Sequence, residues 1–139
     1  MKKISVFLVL ILLLFCNACS KGYFYAYEDL IDGLISVEIV DLSIIDEGGK
    51  EIVVHKMLNE EEKKHCLRAL SGIKFYELSP IGSPINVQGK CIKLNYPESS
   101  LIIGIYGVCE FSEDNGFSLG WQNGESEKIE SLIYSFINK

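Results

Sequence analysis

Tight turns between apolar, β-branched runs constrain this chain most. Leu34 to Ile45 and Glu51 to Met57 are rich in Val and Ile and flank Glu47-Gly48-Gly49-Lys50. Leu101 to Phe111 and Phe117 to Gln122 flank a segment ending in Asn115-Gly116, a strong hairpin signal. Strands joined so closely run antiparallel, because a parallel pair needs a crossover of about a dozen residues or more.

The other elements follow from periodicity. A two-residue loop at Gly48-Gly49 pairs Asp46 with Glu51, Ile44 with Val53, and Asp41 with Lys56, one cross-strand charge pair. Asn59 caps a helix with Glu62 three residues on, as in a capping box, and Gly72 ends it. Cys66, Leu67 and Leu70 form its apolar stripe, while Lys63, Lys64 and His65 face solvent. Ile73 to Leu78 reads as a strand, and Ser79 to Gly89 as a loop. Lys90 to Tyr96 alternates, with Ile92, Leu94 and Tyr96 on one face and Cys91, Lys93 and Asn95 on the other. Leu101 to Phe111, apolar on both faces, reads as one central strand. Phe117, Leu119 and Trp121 share a face of the next strand. Glu125 to Asn138 is a helix with a stripe of Ile129, Leu132, Ile133 and Phe136.

The order is β-β-α-β-β-β-β-α. It predicts an α+β domain: an antiparallel sheet of five to six strands with two helices on one face. Residues 1–18 read as a leader, 19–27 as a tether and 28–139 as one domain. Glu28 to Leu34 is a helical turn or a lead-in.

The leader has Lys2 and Lys3 before an apolar run, Ile4 to Phe15, interrupted only by Ser5. Its 12 residues fit a secretory h-region and fall short of the roughly 20 that span a bilayer. Cys16-Asn17-Ala18-Cys19 follows. This resembles the lipobox of bacterial lipoproteins, with Ala18 before the cysteine as in that family. Cys16 and Asn17 depart from its usual residues. The resemblance covers the leader alone. It implies cleavage before Cys19, a diacylglyceryl group on the Cys19 sulfur, and an extracytoplasmic protein anchored in the cell membrane or outer membrane. The rival reading is ordinary cleavage after Ala18 and release as a soluble protein.

Without Lys2 and Lys3 the chain keeps 11 of its 13 basic side chains against 19 acidic ones, a net charge of −8. That charge disfavours nucleic acid, whose binders need a basic footprint. It permits a basic partner. Cys66, Cys91 and Cys109 are an odd set, allowing at most one disulfide among them. With Glu98-Ser99 as the turn, Cys91 lies opposite Tyr106 and Cys109 falls on the other face, so these two do not bridge.

No catalytic, cofactor or metal motif is present. His55 and His65 are the only histidines, on a strand and a helix, and nothing in their spacing requires them to converge on a cysteine or metal. Glu60-Glu61-Glu62 reads as a solvated helix start and Asp114-Asn115-Gly116 as a turn. The aromatics Tyr23, Phe24, Tyr25, Tyr27, Phe75, Tyr76, Tyr96, Tyr106, Phe111, Phe117 and Trp121 exceed what the helix stripes need. Several are expected on the sheet face away from the helices, as a contact surface for a protein or glycan. The reading is a non-enzymatic envelope lipoprotein that binds a partner. The alternatives are an inhibitor or immunity-type protein against a basic secreted enzyme such as a lysozyme and, third, a hydrolase using His55 or His65 with a cysteine.

Overall fold

The computed structural model of the protein describes residues 22–45, 49–77 and 87–138. The leader with Cys19, the Glu47-Gly48 turn and most of the Ser79 to Gly89 loop lie outside them. The elements are β1 (Gly22–Phe24), α1 (Tyr27–Ile31), β2 (Ser36–Ile45), β3 (Gly49–Met57), α2 (Glu60–Ser71), β4 (Lys74–Glu77), β5 (Gly89–Asn95), β6 (Ser100–Ile103), β7 (Gly107–Ser112), β8 (Gly116–Asn123) and α3 (Ser126–Ile137). The class is α+β, as expected. The strands form one antiparallel sheet in the order β1-β4-β8-β7-β6-β5-β2-β3, wider than the five or six strands expected. No helix among the described residues is long and apolar enough to cross a membrane.

The helices follow their sequence signals. Asn59 Oδ1 accepts from the amides of Glu61 and Glu62 at 3.1 and 3.0 Å, and Asn59 N donates back to Glu62 Oε2 at 3.2 Å. These bonds satisfy donors that open every helix unpaired. Cys66, Leu67 and Leu70 from α2 and Ile129, Ile133 and Phe136 from α3 are buried. They meet Val37, Ile39, Phe75, Ile92, Leu94, Ile103 and Val108 of the sheet in one core.

The strands depart from expectation where turns are involved. The expected central strand from Leu101 to Phe111 is a hairpin, β6 and β7, closed by Gly104 N donating to Gly107 O at 2.8 Å. The β2–β3 register pairs Ile45 with Gly49 and Asp41 with Val53, so Gly49 belongs to a strand and Asp41 does not face Lys56. A bulge then places His55 as an extra residue between Lys56, opposite Ile39, and Val54, opposite Val40. A second bulge in β8 sets Leu119 opposite Cys109 but Trp121 opposite Val108, which splits the expected Phe117-Leu119-Trp121 row. The expected tether also contains structure, since β1 pairs with β4 from Gly22↔Tyr76 to Phe24↔Lys74.

The far face of the sheet is not an open aromatic surface. Val40, Leu42, Val87, Cys91, Ile102 and Cys109 are at most 2 % exposed and form a second core there. Phe111 and Phe117, ring centroids 4.7 Å apart, and Ile52 pack against it. Val87 crosses close to β6: a Cβ on Gly104 would sit 3.2 Å from Val87 Cγ1 and 3.3 Å from Cys91 Sγ. Cys91 and Cys109 therefore share a face, contrary to the expected register. They are thiols rather than a disulfide. The reason is spacing: β6 lies between their strands, and two strand spacings, about 9.6 Å, exceed the reach of a disulfide.

Phe136 is 1 % exposed at the junction of α3 with the sheet core. Phe136→Ala is expected to lower unfolding free energy by roughly 3–5 kcal/mol. Urea unfolding followed by circular dichroism checks this; an unchanged midpoint contradicts the packing.

Candidate functional site

A strip of paired polar residues lies on the far face at one end of the strands. Glu38 in β2 lies directly opposite Lys93 in β5, and Lys93 Nζ stands 3.6 Å from Glu38 Oε2. Both side chains are largely buried, 12 % and 18 % exposed, so each charge depends on the other. Next along the same face, Asn95 Nδ2 donates to Ser36 Oγ at 2.9 Å and Ser100 Oγ donates to Asn95 Oδ1 at 2.8 Å. Beyond them the strands turn, at Tyr96–Ser99 and at Glu113–Asn115. Gly116, with φ 67°, takes the left-handed conformation that closes the second turn, and Asn115 N donates to Ser112 Oγ at 3.2 Å.

Between these two turns lies a cleft of about 600 Å³. Lys93, Ser100 and Phe111 line it from the sheet, and Glu98, Glu113 and Asp114 from the turns. With Lys93 turned to Glu38, the carboxylates leave the cleft negative. Ser100 is hydrogen-bonded to an amide rather than a base, and Ser112 accepts a backbone amide. Tyr96, also on the cleft, donates from Oη to Leu30 O at 2.8 Å and ties α1 to the sheet. The alternation of Cys91, Lys93 and Asn95 made half of this strip visible in the sequence. Glu38, a carboxylate inside the Val/Ile-rich run of β2, was the signal for the other half.

The histidines do not converge on one site. His55 Nε2 lies 2.8 Å from Lys90 Nζ and 3.5 Å from Asp41 Oδ2, and Lys90 donates to Asp41 at 2.7 Å. The Lys90 hydrogen bond holds the Asp41 carboxyl below its ordinary pKa. His65 packs edge-on against Phe136 at 6.0 Å, over a groove between α2 and α3 that Arg68 and Glu127 also line. Its neighbour Cys66 points into the core, where burial pushes the thiol up to about 12. A thiol so placed supplies no thiolate nucleophile at neutral pH. Glu62 is occupied by the Asn59 cap and by Lys56 Nζ at 2.7 Å, and Glu60 by Lys63 at 2.7 Å. No group of three or more His, Cys, Asp or Glu positioned for a metal occurs among the described residues.

The aromatics divide. Phe75 is buried, and Tyr25, Tyr27 and Tyr96 pack against the helix-side core. Tyr23, Phe24 and Tyr106 are exposed, at 38, 51 and 66 %. The side chain of Trp121 lies outside the described residues.

Two expectations follow. Lys93→Met strands the Glu38 carboxylate and should cost about 1–3 kcal/mol or somewhat more. Adding Glu38→Leu should recover most of it, and a double-mutant cycle in urea that shows no coupling contradicts the pairing. Burial raises the Tyr96 hydroxyl from 10.0 to about 12; burial, with Tyr23 beside it, does the same for Tyr25. Raised pKa values mean that the folded state holds these protons longer than the unfolded chain. Their stabilisation is complete below pH 10 and lost as pH rises through about 12. Unfolding midpoints against pH should fall in that window and fall less in Tyr96→Phe.

No family model matches this chain, and neither the curated proteins nor the solved structures compared with it contain a match.

Proposed function

We propose that this chain is a lipid-anchored protein of the bacterial cell envelope whose α+β domain is a binding module rather than an enzyme. Cys19 carries the lipid, and no cofactor takes part. The single observation that carries the binding role is the acidic cleft between the Tyr96–Ser99 and Glu113–Asn115 turns. Ser100 and Ser112, which line it, are committed to structural hydrogen bonds. Its carboxylates, Glu98, Glu113 and Asp114, are exposed, and Phe111 lines the same cleft. Such a cleft suits a basic group of a protein partner.

The inhibitor or immunity-type reading is the specific form of this proposal. It is favoured by the sign of the cleft and by the net charge of −8 on the chain after the leader. A basic wall hydrolase such as a lysozyme is the partner to try first. Binding should weaken steadily with salt, because exposed charges are screened within a Debye length of about 10 Å at 0.1 M. The variant Glu98→Lys with Glu113→Lys and Asp114→Lys should bind at least about tenfold more weakly. Calorimetry at two salt concentrations measures both. Salt-insensitive binding, or full affinity in the reversed variant, contradicts the role of the cleft. If no lysozyme binds, capture from native membranes decides whether any partner depends on the same three carboxylates.

A further inference from the structure

Three exposed aromatics, Tyr23, Phe24 and Tyr106, lie at one rim of the sheet, and the acidic cleft lies at the other. Gly22 pairs with Tyr76, Tyr76 with Gln122 and Gln122 with Gly107, so β1 and the Gly104–Gly107 turn share one cross-strand row. Tyr23 and Phe24 follow Gly22, and Tyr106 precedes Gly107. The ladder places Tyr23 opposite Phe75 and Phe24 opposite Lys74, so the two aromatics flank the edge strand on opposite sides. Lys74 lies across Gly22, with its ammonium 5.2 Å from the ring centre of Tyr76. The cleft turns at Tyr96–Ser99 and Glu113–Asn115 close the opposite ends of β6 and β7.

Only Ser20 and Lys21 separate Cys19 from β1. A chain that short, even fully extended, reaches about 10 Å. We propose that the rim formed by Tyr23, Phe24 and Tyr106 rests in the headgroup region of the bilayer that holds the lipid on Cys19. The inference rests on the lipid-anchor reading and adds an orientation to it. Tyrosine combines an apolar ring with a polar tip and suits that interface, and phenylalanine adds apolar area. Glu98, Glu113 and Asp114 are carried away from the anionic surface, which leaves the cleft open to a partner arriving from the aqueous side.

The test uses the mature lipidated chain in vesicles of phosphatidylethanolamine and phosphatidylglycerol with brominated acyl chains, which quench nearby tryptophan. Phe24→Trp and Tyr106→Trp are compared with Glu98→Trp, the parent chain with Trp121 setting the baseline. Both rim variants should be quenched at least about twofold more than Glu98→Trp, given that interfacial groups sit about 5–10 Å into the headgroup and acyl boundary. Equal quenching at the three positions in chains that float with the vesicles overturns the orientation and leaves the anchor standing. A parent chain that does not float overturns the anchor itself, and the orientation with it. Hydroxyl-radical footprinting of the unsubstituted chain gives the same answer without substitution. Tyr23, Phe24 and Tyr106 should be shielded by vesicles while Met57, 62 % exposed, stays reactive.

Discussion

The fold depends on a sheet that is apolar on both of its faces. Val37, Ile39, Ile92, Leu94 and Ile103 line one side, and Val40, Leu42, Cys91, Ile102 and Cys109 line the other. Each face must leave water, at about 25 cal/mol for every Å² removed. The stripes of α2 and α3 cover the first. The second has no helix among the described residues, and Val87, Ile52 and the Phe111–Phe117 pair close around it. The two bulges, at His55 in β3 and in β8, interrupt the ladders of strands that border this second core. Bulges bend strands and increase their twist, which suits a sheet wrapping its own apolar side.

The hydrogen-bonded and ion-paired polar side chains of the far face, Glu38 with Lys93 and Ser36 with Asn95 and Ser100, stand towards one end, and that is where the cleft forms. Glu38 and Lys93 are held opposite each other by the β2–β5 ladder, at the point where the second core stops. A buried ion pair adds little net stability, but it leaves a face that hydrophobic packing cannot seal. The turns beyond it then set carboxylates and hydroxyls around an open volume. At the other end of the same strands, the short turn at Gly104–Gly107 and the edge strand β1 expose Tyr106, Tyr23 and Phe24. The domain thus has two chemically distinct ends, and the proposed partner and the proposed membrane contact each take one.

The parts legible in the sequence were those set by local chemistry. The Asn59–Glu62 cap, the stripes of α2 and α3 and the alternation of β5 each follow from residues a few positions apart. Registers were not legible, because they depend on loop length and bulges. The turn after β5 takes in Tyr96 to Ser99, which moves Ile103 rather than Tyr106 towards the start of β5. The Gly104–Gly107 turn was hidden because its two central residues, Ile105 and Tyr106, are as apolar as the strands beside them. With the registers displaced, the far face read as open and aromatic, and the cleft could not be assembled. Lys93 was seen as a polar position, but its partner Glu38 was not.

The two-sided core is tested most directly by the reactivity of its cysteines. Cys66 belongs to the helix-side core, and Cys91 and Cys109 to the far one. The folded chain should be treated with an alkylating thiol reagent and the modified sites read by peptide mass. All three thiols should resist the reagent in buffer and react together once urea unfolds the domain. Rapid labelling of Cys91 or Cys109 in buffer, with Cys66 still protected, would mean that the far face is open to water and would contradict a sheet packed on both sides.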